Sequence, residues 1–340
     1  MNVIVRIACL FGEMAGMHCG PSNGQSTFDP ASRPATLIND MHWWMYYGFG
    51  LVEAAVVIVL FWALWRGARR RRAEGAAVHK PSRRTERNLF RAVAICAVLT
   101  VAILFTSLIG SLAVTWAINK PGLIGQQVEI VGRQWWWEIR YIDQKGKLQF
   151  TTANEINIPV GEPVQLYLDS PDVIHSFWVP SLHGKQDLIP GHSSMLTIEA
   201  NRPGIYRGQC AEFCGLQHAK MAIEVIAQPP QQFAQWFNKQ MSPASASAAT
   251  RSKGEALFAS AGCASCHTIR GTSANGKTGP DLTHVGSRRS LASGTLSNTP
   301  GSMARWIRDP QAIKPGTQMA TSELPADEIA MLVSYLEGLR

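Results

Sequence analysis

The chain has 340 residues, enough for two or three domains at about 100–200 residues each. Hydrophobic residues make up 46% and charged residues only 16%, which excludes disorder and a disulfide-stapled miniprotein and points to membrane-embedded segments. The net charge of +8 lies in one loop: residues 66–91 hold ten Lys/Arg against Glu74 and Glu86, and the remainder is balanced. Such a distribution is a topology signal and excludes a nucleic-acid footprint.

Residues 1–44 are expected to form an export segment and tether. Arg6 supplies a positive start, although Glu13 interrupts the short apolar stretch after it. Cys19, followed by GPSNGQSTFDP, has the pattern of a lipoprotein cysteine on a flexible tether, with a free thiol in an uncleaved tail as the alternative. A transmembrane hairpin is predicted over 45–118. Its helices, 45–65 and 92–118, each reach the ~20 residues needed to span a bilayer, and neither contains Lys, Arg or Asp. Trp43, Trp44, Tyr46 and Tyr47 at one end and Trp62 and Trp65 at the other suit interfacial belts. The basic loop then lies in the cytoplasm, so everything after residue 118 is extracytoplasmic, as in a multi-pass protein of a bacterial plasma membrane with lipid as a partner. Glu53 is costly in lipid and is expected to face a protein partner or to stay protonated.

From 119 to 240 the texture changes to short alternating β runs, Val128–Arg133, Trp135–Tyr141, Pro163–Asp169, Met195–Ala200 and Met221–Ala227, punctuated by Gly and Pro. Such a pattern predicts an antiparallel sandwich or barrel. Residues 241–250 (MSPASASAAT) read as a linker, and 251–340 as a small helical domain that opens with Gly254–Ala261 and closes with Ala326–Leu339.

Two cysteine clusters carry the chemistry. Cys263-Ala-Ser-Cys266-His267 is the C-x-x-C-H attachment pattern of a c-type haem, in which two thiols take the vinyl groups and the imidazole ligates iron. A redox pair or half of a zinc site is the alternative. The opposite axial ligand should be a thioether or imidazole. Met319 fits best, and Met303, Met331 and His284 compete. The second cluster is Cys210-Ala-Glu-Phe-Cys214-Gly-Leu-Gln-His218-Ala-Lys-Met221. Thiolates, an imidazole and a thioether select copper, and two thiolates suffice to bridge a pair of ions. A Cys210–Cys214 disulfide is the alternative. One further ligand must come from outside the loop, and spacing leaves His175, His183 and His192 open.

The run Cys210–Met221 resembles the binuclear copper (CuA) loop of cytochrome c oxidase subunit II, as do Asp172-Val-Ile-His175-Ser-Phe-Trp-Val-Pro180 and Gly132-Arg-Gln-Trp135-Trp136-Trp137. With the hairpin and the following cytochrome segment, the chain is similar to subunit II of the caa3 type from about residue 19 to the end. The resemblance implies a cupredoxin-like sandwich with His175 as the upstream copper ligand. It makes Glu212 a ligand through its carbonyl, with its side chain reaching a magnesium ion shared with subunit I. It places Trp135 at the face where electrons enter. It also matches Lys185-Gln-Asp187-Leu-Ile-Pro-Gly191 to a loop facing subunit I. Gly254-x-x-x-Phe258, Thr278-Gly-Pro-Asp-Leu282 and Trp306 fit an all-α class I cytochrome c domain. The hairpin departs from the family at Thr85-Glu86-Arg87-Asn88-Leu89-Phe90, which lacks the usual Glu-x-x-Trp-Thr and leaves Glu86 without an implied role in proton uptake.

The implied function is that of a haem-copper oxidase subunit that takes electrons from a cytochrome c or another respiratory donor. It would pass them by haem c and CuA to subunit I, among other oxidase subunits, for dioxygen reduction coupled to proton translocation. The alternatives are a copper-delivery or assembly protein, which would want a thioredoxin-like pattern, and the copper subunit of a nitrogen-oxide reductase.

Overall fold

The computed structural model describes residues 25–74, 82–119, 125–243 and 248–340. The expectations placed on residues 1–24, Cys19 among them, lie outside the described residues, as does 244–247 of the linker. The chain divides into two compact units, Thr36–Lys120 and the remainder.

The unit Thr36–Lys120 holds all but the first three residues of α1 (Arg33–Glu74) and the whole of α2 (Arg83–Ile118), both long and apolar enough to cross a bilayer. Each extends beyond its apolar run into polar residues. Arg71 and Arg72 in the last turn of α1 complement the helix dipole. Ser82 caps α2, its hydroxyl accepting the Thr85 N–H at 3.2 Å. The arginine heads lie back over the aromatic ends, Arg66 at 5.3 Å from the Trp62 ring and Arg69 at 3.9 Å from that of Trp65. Inside α2 the hydroxyls of Thr100, Thr106, Ser107 and Thr115 each donate to the carbonyl one turn earlier. Four polar side chains thereby need no water in an apolar helix.

The second unit opens with a β-sandwich. Its strands are β1 (Gln126–Arg133), β2 (Trp136–Ile142), β3 (Leu148–Ala153), β4 (Glu155–Pro159), β5 (Val164–Asp169), β6 (His175–Trp178), β7 (Gln186–Leu188), β8 (Ser194–Ile198), β9 (Gly204–Cys210) and β10 (Ala222–Gln228). They form two five-stranded sheets, ordered β3-β2-β1-β5-β8 and β4-β10-β9-β6-β7. Most pairs are antiparallel, but β1 runs parallel to β5 and β4 to β10. Period-two alternation puts Val164, Leu166 and Leu168 of β5 between the sheets with Ile130, Trp137, Ile139, Tyr141, Ile156, Ile158 and Phe177, all without exposure. Each such side chain stabilises the fold by about 1.5–3 kcal/mol.

Beyond β10, helix α3 (Pro230–Met241) presents Phe233, Trp236 and Phe237 at i, i+3, i+4. Trp236 and Phe237 meet the Tyr141 ring at 5.4 and 5.9 Å and the Phe150 ring at 5.7 and 5.1 Å. The remaining segment is helical, with α4 (Ala248–Ser260), α5 (Pro300–Arg308), the short α6 (Pro310–Ile313) and α7 (Ala326–Gly338), plus the hairpin β11 (Ser290–Leu291) and β12 (Leu296–Ser297). Helix α4 starts at Ala248, six residues before the expected Gly254, so the C-terminal end of the 241–250 stretch is helical. Phe258 of α4 meets Tyr335 of α7 at 6.4 Å, edge to face, in a core with Met303, Ile307, Ile329 and Leu332.

Candidate functional site

Strand order gathers the first cluster at one end of the sandwich. Strands β9 and β10 are antiparallel neighbours, so the loop between them returns Met221 beside Cys210, whose N–H donates to the Met221 carbonyl at 2.9 Å. Strand β6 is the other neighbour of β9 and begins at His175, which is thereby carried to the same end. The two sulfurs lie 3.8 Å apart, and both cysteines are free thiols. Cys210 Sγ is 3.9 Å from His175 Nδ1 and 3.2 Å from the Glu212 carbonyl. Cys214 Sγ is 3.7 Å from His218 Nδ1 and 3.9 Å from Met221 Sδ. All six residues expected as ligands therefore converge on one place: the sulfur pair, with His175 and the Glu212 carbonyl beside Cys210 and His218 and Met221 beside Cys214. His175, Cys210, Cys214 and Met221 are buried.

Of the three histidines that spacing leaves open, His175 alone stands in this cluster. His192 is exposed, and His183 Nδ1 faces the Gly184 carbonyl at 3.3 Å, with burial pulling its pKa down. Asp172 orients the His175 ring: its carboxylate takes Nε2 at 2.9 Å and the Gln134 N–H at 2.7 Å, leaving Nδ1 for the sulfurs. Burial works to raise the Asp172 pKa, but the bonds from His175, Val173 and Gln134 hold it below the usual range. Burial likewise lowers His175, and the bonds to Asp172 and Cys210 outweigh it. The two sulfurs titrate apart: the hydrogen bond from Cys214 lowers the Cys210 pKa, and the same bond drives that of Cys214 up. Gly132 is required by close approach, since a Cβ there would stand 2.9 Å from His175 Cδ2. Two soft sulfurs, two imidazoles, a thioether and a carbonyl form a donor set that fits copper.

The Glu212 carboxylate stands apart from the sulfurs, with Oε2 at 4.0 Å from Lys185 Nζ, which also lies 3.5 Å from Asp187.

The second cluster lines a cavity of about 590 Å³ whose wall includes Cys263, Cys266, His267, Trp306 and Met319. The Pro280 carbonyl receives His267 Nδ1 at 2.8 Å, which leaves Nε2 as the ring's ligating atom. Burial holds the imidazole below its ordinary pKa, hence neutral. A Cβ on Gly279 would come within 2.6 Å of His267 Cε1, so this loop lies flat on the ring only with glycine there. Two free thiols, a neutral imidazole and thioethers around an apolar cavity fit a covalent haem. Met319 and Met303 both reach the wall, Met303 from within the core of α5 and Met319 from the loop after α6. Met331 and His284 do not; His284 Nε2 is bonded to the Ser242 carbonyl at 3.1 Å.

That cavity is closed on one side by the sandwich, through Gln134, Trp135, Trp136 and Asn154. Trp135 is only 8% exposed, and its indole N–H donates to the Cys214 carbonyl at 2.9 Å. The resemblance placed Trp135 at the face where electrons enter; here Trp137 is core, and Trp135 is covered by the C-terminal segment. The residues that make this contact were missed. Glu155, 6% exposed, accepts the N–H groups of Arg289 and Ser290 at 2.7 and 3.1 Å. Burial raises its pKa against the pull of the neighbouring, half-buried Arg288. Lys314, 2% exposed, donates to the Trp135 carbonyl at 2.6 Å and to that of Ala292 at 3.3 Å.

Residues 146–228 match the family described as cytochrome c oxidase subunit II, periplasmic domain, and residues 252–340 match the cytochrome c family. The chain is 35% identical over 215 residues to a cytochrome c oxidase subunit 2 of Alkalihalophilus pseudofirmus, covering 63% of this chain and 61% of that relative's length. It is 30% identical over 244 residues to the cytochrome c oxidase subunit 2 of Bacillus subtilis, covering 67% of each. A solved periplasmic domain of cytochrome oxidase subunit II from Bradyrhizobium japonicum is 28% identical, with a TM-score of 0.33, over 35% of this chain and 95% of that one.

Proposed function

Because the chain belongs to the cytochrome c oxidase subunit II family and carries a cytochrome c domain at its C-terminal end, we propose that it is the electron-relaying subunit of a haem-copper terminal oxidase. Its donor would be a cytochrome c or another respiratory carrier, and Cys263, Cys266, His267 and Met319 would hold the covalent haem c that receives the electrons. It passes them by a binuclear CuA centre to haem-containing subunit I, which reduces dioxygen to water and moves protons. When bound, the copper pair and the haem supply one-electron redox chemistry in which no bond to a substrate forms or breaks.

The chain's own residues hold those groups still. Cys210, Cys214, His175, His218, Met221 and the Glu212 carbonyl would hold the copper pair. Asp172 fixes the His175 ring, and Pro280 fixes that of His267. A rigid, buried donor set suits transfer with little rearrangement between oxidation states. The Glu212 carboxylate, beside Lys185 and apart from the sulfur pair, would take part in a magnesium site at subunit I. The basic loop between the two apolar helices orients the metal-holding domains to the extracytoplasmic side.

One observation carries the proposal: Trp135 lines the haem-binding cavity and hydrogen-bonds the carbonyl of Cys214, so a single side chain touches both candidate centres. Metal and optical analysis of the full chain in detergent, expressed with haem-maturation machinery, tests it. Two coppers per chain with one unpaired electron shared between them, and one covalent haem, are expected. A single copper that a chelator strips, with no shared-electron signal, overturns the proposal in favour of a copper-delivery protein.

A further inference from the structure

We propose that Lys314 is a positioning residue: with its neighbours Ile313 and Pro315 it clamps the Met319 loop of the cytochrome segment onto Trp135 and the copper loop, so that the two cofactor-bearing domains work as one docked body.

Three successive residues of the cytochrome segment make the contact. The Ile313 carbonyl accepts from Lys220 Nζ, Lys314 Nζ donates to the Trp135 carbonyl at 2.6 Å, and the Pro315 carbonyl accepts from Gln217 Nε2 at 2.6 Å. Lys220 and Gln217 flank His218 in the copper loop, and Trp135 is bonded through its indole to Cys214. On the other side the clamp is stiffly joined to Met319. Gln311 donates to the carbonyls of Thr317 and Met319 at 2.7 and 3.1 Å and accepts from Gly316 N–H at 2.8 Å. The loop holding the sulfur of one centre is thus bonded, residue by residue, to the loop holding the thiolates of the other.

Lys314 is the member whose placement ordinary surface chemistry does not explain. A lysine at 2% exposure faces two carbonyl oxygens, one from each domain, and among the described residues no carboxylate pairs with it. Burial draws its pKa down to about 7, which marks a buried placement costly for the charge. A donor held there satisfies the Trp135 carbonyl, which would otherwise be buried without a partner. Two further contacts lie along the same face. Ser293 at the β11–β12 turn exchanges bonds with Ala222, Oγ to carbonyl at 2.8 Å and Ala222 N–H to the Ser293 carbonyl at 3.1 Å. Glu155 receives Arg289 and Ser290 at the far edge.

The inference rests on the proposed relay for its functional meaning, but the docking can be read without copper. Lys314→Met in the full chain in detergent is compared with wild type by amide hydrogen exchange at Ala222, Arg289 and Ser290, whose N–H groups bond across the interface. Exchange there should rise at least tenfold while the haem spectrum is unchanged. In the copper-loaded chain, one electron passing from ferrous haem to the copper pair should slow at least tenfold and become dependent on solvent viscosity, since re-docking then limits it. A local structural role would disturb the haem spectrum and leave transfer independent of viscosity. Should Lys314→Met fail to take up haem, Lys314→Gln, which keeps an N–H donor but is one atom shorter, gives the same comparison, and Lys314→Arg should restore protection. Interface exchange equal to wild type in Lys314→Met or Lys314→Gln overturns the clamp, whether or not copper binds. A chain without a copper pair but with accelerated exchange overturns the relay alone.

Discussion

Replacing Asp172 with alanine should loosen copper without touching the haem. The carboxylate holds His175 Nε2 at 2.9 Å, three residues along its own segment, and the Gln134 N–H at 2.7 Å in the β1–β2 turn. A hydrogen bond to a charged group contributes about 1.5–3 kcal/mol, and the Asp172 side chain is 28% exposed, so solvent screening favours the lower figure. At about 1.4 kcal/mol per tenfold, losing the His175 bond should weaken copper retention roughly tenfold, within the ~10–100-fold usual for a ligand's outer partner. Asp172→Asn keeps a carbonyl oxygen able to accept from Nε2–H and should fall between wild type and alanine. The assay is competition of the copper-loaded full chain against a copper chelator, with covalent haem content as internal control. Asp172→Ala holding copper as tightly as wild type, with an unchanged copper spectrum, would refute the idea that this carboxylate fixes the imidazole.

Met319→Leu should lower the haem midpoint potential while Met303→Leu leaves it in place, as redox titration would register, because a thioether opposite histidine raises the potential. Gly279→Ala, whose Cβ would meet His267 Cε1 at 2.6 Å, should cut haem content and spare copper; Gly132→Ala, with a Cβ 2.9 Å from His175 Cδ2, should do the reverse, both read by haem and metal analysis. Lys314 binds its proton less tightly when docked, about 7 against an ordinary 10.5, so undocked or unfolded chains hold more protons between those values and stability should rise with pH across that window. Denaturant titrations should show wild type gaining on Lys314→Met as pH climbs from about 7 to 10.5, with no change in the difference below that range. Doubling the 241–250 segment with Gly/Ser residues should change interface amide exchange by less than threefold, since a doubled loop costs only about 0.6 kcal/mol; a tenfold rise would show that the tether, and not the clamp, keeps the domains together.

What could be read from the chain follows from how local each feature is. The haem attachment run and the Cys210–Met221 loop are contiguous, and their residue types alone name soft-metal chemistry. His175 lies 35 residues upstream of Cys210, and spacing left it level with His183 and His192. What separates the three is the adjacency of β6 and β9, which is long-range strand pairing. Helix α3 was missed although Pro229 and Pro230 open it and Phe233, Trp236 and Phe237 keep helical spacing; its shortness and polar remainder hide it beside a β domain. Ala248–Thr250 read as linker from composition, yet alanine is the best helix former, and the run simply lengthens α4.

The contact between the two domains left the weakest trace, for a physical reason. Lys314 stands in Lys-Pro-Gly-Thr, a turn in which a lysine is ordinarily solvated, and Glu155 opens a strand where an acid ordinarily faces water. Only the meeting of two surfaces distant in sequence buries them, and no periodicity within either segment encodes that meeting. A flexible tether alone would keep the cytochrome segment near the copper loop at roughly millimolar effective concentration, leaving orientation to be found at each encounter. Cross-domain hydrogen bonds from Lys314, Gln217 and Ser293, and from the Arg289 N–H to Glu155, contribute about 0.5–1.5 kcal/mol each. They are directional, so they fix the rotation of one domain on the other, which proximity does not. An electron relay gains most from that rotation being fixed, because Trp135 is in place against the haem cavity only when the Met319 loop lies on it.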